Sequence, residues 1–355
     1  MKKLVSLLLM TALLLSLCTF IGCSADKAKE TTPGAATAPA GEEPAGEEPA
    51  GEEPAENPPA VQLKGDKFKV VYAAVTTSLA PYVIVIANAF EEMCKRNDWD
   101  YEVYDGEGNP TVQTEQIDNI AADGDADLCV LFPVDSAVAV SYVKKLSEAD
   151  ITTFTLVSDV TEEGQSFVPY FITNDNPAYG KAQADYAIEK FGADAGLNYV
   201  ILSGWQAQLD YQYRENGVLD GLKDTNYNHL NTAYCGASRD TAMETMAQYI
   251  TTYGDDLDIV FCLSDEFALG AIQAIDAAGL TGKITVLSME IFKESVDMIK
   301  QGKMDMSITQ SGVELVGVLE NTIKSWLSGE IIDRVQYLDG TIVTKENVDT
   351  VTPEY

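Results

Sequence analysis

The sequence predicts an α/β fold of two lobes, each a parallel sheet wound by helices, around a crevice edged by strand ends. Three observations carry this expectation. Short apolar runs alternate with stretches of helical period along most of the chain, the pattern of right-handed β/α crossovers. The alternation restarts at Asn174-Asp175-Asn176-Pro177, which gives two successive sets of roughly 110–135 residues, each of ordinary domain size. One stretch shows the unit most clearly. The apolar run Asp258-Ile-Val-Phe-Cys-Leu263 stops at Ser264-Asp265-Glu266, and Phe267, Leu269, Ala271, Ile272, Ile275 and Ala278 then keep helical spacing up to Gly279. It reads as strand, acid-capped turn with Asp265 as the cap, and helix. In open α/β sheets such a turn lies at the carboxyl end of a strand, where ligands bind.

The elements follow in order. Phe68 to Val75 is a strand, Thr76 to Tyr82 a loop, and Val83 to Asn97 a helix ending in Lys95-Arg96, favourable charges for its carboxyl end. Tyr101–Tyr104 is a strand, Thr111–Ala122 a helix, and Leu128–Phe132 a strand that ends at Pro133-Val-Asp135-Ser136. A helix over 137–149 and strands over 153–157 and 168–173 complete the first set. The second set holds helices over 179–191, 211–222, 239–253, 267–278 and 293–300. Its strands cover 199–202, 231–235, 258–263, 284–287 and 306–309, the last ending at Gln310, and a long helix over 313–327 follows.

Composition narrows the function. With 46% hydrophobic and 22% charged residues the chain is an ordinary globular one, but its net charge is −33, about −28 of it beyond residue 60. Such a surface repels nucleic acid and anionic lipid. The single histidine, His229, lies in a polar run and reads as a surface residue. It leaves no Ser-His-Asp or Cys-His catalysis and no histidine metal cluster. Asp123-Gly-Asp125-Ala-Asp127 has acids like those of a calcium loop but no glycine at the sixth position or Glu at the twelfth, and reads as a solvated loop. No phosphate-cradling glycine motif occurs, and no cofactor is implied. Cys94, Cys129, Cys235 and Cys262 lack metal spacing and are expected to be free thiols.

Residues 1–22 read as an export signal, Met1-Lys2-Lys3 followed by the apolar run Leu4 to Ile21. Phe20-Ile21-Gly22-Cys23 resembles a bacterial lipoprotein box, with Phe20 where leucine is usual. That resemblance implies a lipid on Cys23; an ordinary cleaved signal or an uncleaved anchor are the alternatives. Residues 23–65 form an acidic tether with Gly-Glu-Glu-Pro-Ala three times over 41–55. It is expected to be extended and unfolded, because it has almost nothing to bury.

Beyond the tether, the chain resembles the periplasmic-type sugar-binding proteins of the ribose-binding family, the solute receptors of ABC importers. The resemblance covers residues 67–350. It rests on Pro133-Val-Asp-Ser-Ala-Val, Asn174-Asp-Asn-Pro-Ala-Tyr-Gly180-Lys-Ala, Tyr213-Arg214-Glu-Asn-Gly217-Val-Leu-Asp-Gly-Leu and Ser264-Asp-Glu-Phe-Ala-Leu-Gly270-Ala. It implies two three-layer α/β/α lobes, one of residues 66–173 and 311–340 and the other of 174–310 and 341–355, joined by crossovers near Thr173, Gln310 and Gly340. It also implies a monomer that binds a small solute, a sugar or polyol, with no catalysis. The solute passes to an ABC permease or, alternatively, the protein presents it to a sensor kinase or chemoreceptor.

The same resemblance implies the site. Tyr82 corresponds to an aromatic on the sugar face, or else only opens its helix. Arg214 corresponds to a multi-donor arginine, the alternative being an ion pair with Glu215 or Asp210. Glu290 stands where an acid accepts hydroxyls, and Gln310 matches a glutamine that donates and accepts. Trp205 is a wall or a core residue, and Asp135 is marginal. The departures are Val157-Ser158-Asp159, where relatives often carry Asp-Arg, and Ser264, where an Asn is common. They imply a pocket with few cationic donors, with the acids Asp159 and Glu290 retained. A neutral sugar or polyol fits this, and an amino-bearing ligand is the alternative.

Overall fold

The structure, a computed structural model, describes residues 61–355. The export signal, Cys23 and most of the acidic tether lie outside the described residues. Among the described residues no helix is long and apolar enough to cross a membrane.

In chain order the first set is β1 (Lys69–Ala74), α1 (Pro81–Arg96), β2 (Asp100–Asp105), α2 (Pro110–Asp123), β3 (Leu128–Leu131), α3 (Ala139–Glu148), β4 (Thr152–Leu156) and β5 (Tyr170–Asn174). The second opens with α4 (Asn176–Phe191), β6 (Asn198–Ser203), α5 (Leu209–Leu222), β7 (Asn228–Tyr234) and α6 (Arg239–Tyr253). It continues through β8 (Ile259–Cys262), α7 (Asp265–Ala277), β9 (Thr285–Leu287), α8 (Lys293–Gln301) and β10 (Met306–Ile308). The chain then returns to pack α9 (Gly312–Ser328) on the first sheet, adds β11 (Val335–Leu338) to that sheet, and ends with β12 (Ile342–Thr344) in the second.

The sheets run β11-β5-β4-β3-β1-β2 and β12-β10-β9-β8-β6-β7. Every pairing is parallel except β10 with β12, so one antiparallel edge strand departs from the expected all-parallel pattern. Each sheet is covered on both faces. In β1, Val70, Tyr72 and Ala74 pack under α1 and α9 against Ile86, Phe90, Leu315 and Leu319, while Val71 and Ala73 meet Ile117, Val143 and Leu146 of α2 and α3. In β8, Val260 and Cys262 face Met246, Phe267 and Ala271 of α6 and α7, while Ile259 and Phe261 face Ala184 and Val218 of α4 and α5. Burial on both faces explains why these strands read as unbroken apolar runs. Removing a central ring such as Phe90 or Phe261 would cost about 3–5 kcal/mol.

Three local readings are corrected. The cap of α7 is Ser264, whose Oγ accepts from Glu266 N at 3.2 Å. Asp265 is instead fully buried and holds neighbouring strand ends together, accepting from Phe292 N and Ser307 Oγ, each at 2.9 Å. β7 begins at Asn228, ahead of the expected start, with a register shift opposite Tyr199 and Val200, and His229 stacks on Tyr199 there. The edge strands β11 and β12 are additional: they are short, and only Val343 of β12 is fully buried, too little to announce a strand. The four cysteines are free and buried.

Candidate functional site

The carboxyl ends of both sheets face one cavity. From the first sheet, Thr76 after β1, Phe132 after β3 and Val157 after β4 line it, with Tyr82 of α1. From the second come Trp205 after β6, Asp210, Tyr211 and Arg214 of α5, Ser264 after β8 and Glu290 after β9. The space is small, ≈ 40 Å³, room for about three waters at roughly 10–15 Å³ each. A larger ligand would enter only as the lobes part.

Arg214 is the centre of this cavity, and close helix packing puts it there. α4 and α5 cross so tightly that a Cβ on Gly180 would lie 2.0 Å from Arg214 O, and one on Gly217 2.4 Å from Pro177 O. Only hydrogen fits at either position, and the approach drives the Arg214 side chain inward, where it is 1% exposed. Its Nε donates to Asn176 Oδ1 at 2.8 Å and Nη1 to Leu263 O at 2.9 Å, and the guanidinium lies 5.1 Å from the centre of the Tyr211 ring. Glu290 Oε1 is 3.7 Å from Nη1 and Asp210 Oδ2 is 4.0 Å from Nη2. Both separations exceed hydrogen-bonding range, so the fork keeps N–H groups free for a guest.

The acids are held in an environment short of positive charge. Burial pushes the Glu290 carboxyl up to about 8, against the opposing pull of Arg214 and of Ser264, whose Oγ donates to Oε2 at 2.6 Å. Burial likewise raises Asp210, again against Arg214, and Asp210 Oδ1 is buried without a hydrogen-bond partner. The backbone is strained at the same place. Val157 has φ 66° and Glu290 φ 112°, left-handed conformations uncommon for side-chain-bearing residues and least tolerated by a β-branched one.

Hydrogen bonds tie the lobes together at the cavity's rim. Leu209 N donates to Ser158 Oγ at 3.1 Å and to Ser136 Oγ at 3.2 Å, Ser136 N to Ala207 O at 3.0 Å, and Gln208 Nε2 to Pro133 O at 3.0 Å. The first turn of α5 has no cap from its own chain neighbour. The opposite lobe supplies it.

The structure brings five of the eight sequence-derived residues to the cavity: Tyr82, Trp205, Arg214, Ser264 and Glu290. Tyr82 is fixed by Asn174 Nδ2, which donates to its hydroxyl at 3.0 Å. Ser158 serves the rim as just described. Asp159 is not in the cavity: it accepts from Thr155 Oγ1 and Val160 N at 2.8 Å each and pairs with Arg334 at 2.7 Å. The sequence reading found no arginine for it because this one arrives from 175 residues further on. Gln310 lines a neighbouring hollow beside Thr309 and Tyr355, its two amide atoms buried and unpartnered. Asp135 holds its own loop through Ala137 N and Val138 N. Reading from strand ends missed Asp210 and Tyr211, which sit on a helix. The signal for Asp210 was its position one turn before Arg214.

Comparison with known proteins agrees with this architecture. The ribose import binding protein of Escherichia coli (strain K12) is 23% identical over 272 residues, 77% of this chain and 89% of that protein. The D-allose-binding periplasmic protein of the same organism is 26% identical over 167 residues, 46% of this chain and 53% of that protein. Among solved structures, the Caulobacter myo-inositol binding protein superposes with a TM-score of 0.73 at 23% identity, covering 82% of this chain and 98% of that one. A galactofuranose binding protein gives 0.73 at 20% identity, covering 80% and 96%. The profile of the periplasmic binding protein domain matches residues 71–330. With two α/β/α lobes facing one cavity, the chain belongs to the periplasmic binding protein domain family, whose members are non-catalytic solute-binding proteins.

Proposed function

We propose that the chain is an extracytoplasmic receptor that captures a sugar or polyol by closing its lobes and delivers it to an ABC permease. The observation that carries this reading is Arg214, a fully buried multi-donor head with free N–H groups, set between two carboxylates and aromatic walls where both sheets end. Vicinal hydroxyls can accept from the guanidinium and donate to the carboxylates, while the apolar C–H face of a sugar packs on a ring such as Tyr82 or Trp205. The ribose and allose named for the similar curated proteins, and the myo-inositol and galactofuranose named for the similar structures, are ligands of this chemistry.

In this reading residues 66–173 with 311–340 and residues 174–310 with 341–355 move as the two lobes. The chain segments near Thr173, Gln310 and Gly340 are the hinges, and bound ligand favours the closed state by touching both sides. Ser158 contributes through closure, and Gln310 through its place at a hinge. The chain acts as a monomer, and a lipid on Cys23 with the acidic tether behind it holds the lobes off a membrane surface. The test is a thermal-shift panel of pentoses, hexoses and inositols. A ligand at 100 times its Kd stabilises the native state by about 2.7 kcal/mol and raises Tm. No rise with any member at millimolar concentration would refute the reading. Loss of metabolic lipid labelling in a Cys23→Ala variant tests the anchor.

A further inference from the structure

Charge is unbalanced in the cavity. Arg214 is the single cation among the described residues that line it, against three carboxylates, Asp210, Glu266 and Glu290. Glu266 is already matched, since Arg239 reaches it from outside at 2.8 Å and 3.2 Å. Asp210 and Glu290 therefore share one guanidinium, and neither closes a hydrogen bond with it, at 4.0 Å and 3.7 Å. Asp210 is 2% exposed, and its Oδ1 has no hydrogen-bond partner among the described residues. A buried carboxylate oxygen left without a hydrogen bond is a costly feature.

We propose that the ligand carries a protonated amine, and that Asp210 is the specificity-determining residue that receives it. The inference rests on the sugar or polyol reading of the same site and narrows it to an amino sugar or amino polyol. A hydroxyl could also donate to Asp210, but it would leave Asp210 and Glu290 sharing one guanidinium, whereas an ammonium group supplies a second positive charge and offers three donors. The walls agree. Tyr82, Phe132, Trp205 and Phe267 present rings to the cavity in addition to Tyr211, which Arg214 already covers, and such surfaces attract organic cations. Burial raises the carboxyls of Asp210 and Glu290 against the pull of Arg214, in keeping with a site short of positive charge.

The test is calorimetric titration of the intact protein with D-glucosamine, D-galactosamine, D-mannosamine and an inosamine. Each is paired with its hydroxyl parent and its N-acetyl derivative. At least one amine is expected to bind tenfold or more tightly than its parent and than its N-acetyl form, which keeps the shape and loses the charge. Asp210→Asn, isosteric and uncharged, is expected to bring amine and parent within about threefold of each other. Parents that bind as tightly as the amines, or more tightly, overturn the amine proposal and leave the sugar or polyol reading standing. An amine preference that survives in a folded Asp210→Asn protein overturns the assignment to Asp210, and Asp210→Ser repeats the comparison should the first variant not fold. A panel in which no amine, parent or N-acetyl compound binds overturns both readings.

Discussion

Replacing Arg214 by methionine tests whether the site is held together as the geometry implies. The side chain is 1% exposed, donates to Asn176 Oδ1 and Leu263 O, and stands between Asp210 and Glu290. Methionine keeps most of the volume, so the cavity cost of an alanine variant is avoided. Two buried acceptors lose their donor, about 1 kcal/mol each, and the buried acids Asp210 and Glu290 lose the cation beside them. Removing one partner of a buried ionic group costs about 3–5 kcal/mol, and that is the expected loss at neutral pH. The variant would respond by binding protons, at about 1.4 kcal/mol per carboxylate for each unit of pH above its ordinary value. The loss should therefore shrink as pH falls, towards the 1–2 kcal/mol of the two hydrogen bonds alone. Urea denaturation of wild type and variant at neutral and acid pH, followed by circular dichroism and tryptophan fluorescence with coincident transitions, measures it. A loss below about 1 kcal/mol, or one that does not change with pH, would refute the reasoning.

Three further outcomes are expected. Glu290, raised to about 8 in the folded chain from the ordinary 4.5, binds a proton that the unfolded chain releases. Its contribution to stability is complete below the ordinary value and is lost as pH rises through about 8. Glu290→Gln should flatten the fall of Tm between mildly acid and mildly alkaline buffer. Gly180→Ala places a methyl 2.0 Å from Arg214 O, so α4 and α5 must separate. A loss of about 2–3 kcal/mol from overpacking, with weakened ligand binding, is expected by denaturation and calorimetry; an unchanged Tm would contradict the packing. Ser158→Ala removes one of the two serine acceptors for Leu209 N across the lobes. It should weaken closure by about 0.5–1.5 kcal/mol and enlarge the radius of gyration in small-angle scattering without ligand, a change that ligand reverses.

Most of the fold was legible because its signals are local. Strands buried on both faces read as apolar runs, and the period shifts where each helix starts, as at Ser264. What escaped depends on distant partners. β11 and β12 are strands only because β5 and β10 offer them edges, and of their own residues only Val343 is fully buried. The capping role moved from Asp265 to Ser264 for a similar reason. Asp265 has Phe292 N and Ser307 Oγ to bind, 27 and 42 residues away, and a longer-range demand displaced the local one.

The site was legible in part, and its errors share one cause. Tyr82, Trp205, Arg214, Ser264 and Glu290 lie just beyond strand ends or on a recognisable motif, and the fold delivers them to the cavity. The second acid was expected at Asp159, also beyond a strand end. That residue turns away because Arg334, brought alongside by β11, neutralises it outside the cavity. Asp210 takes the vacant role from a helix whose first turn is fixed by serines of the opposite lobe. Of the two acids expected beside one arginine, Glu290 lines the cavity and Asp159 does not, while Asp210 and Glu266 line it with Glu290. The difference matters: Asp159 is already paired, whereas Asp210 has an oxygen with no hydrogen-bond partner among the described residues. An unpaired buried carboxylate constrains the ligand more tightly than an acid placed by resemblance, because it fixes where a donor would have to be received.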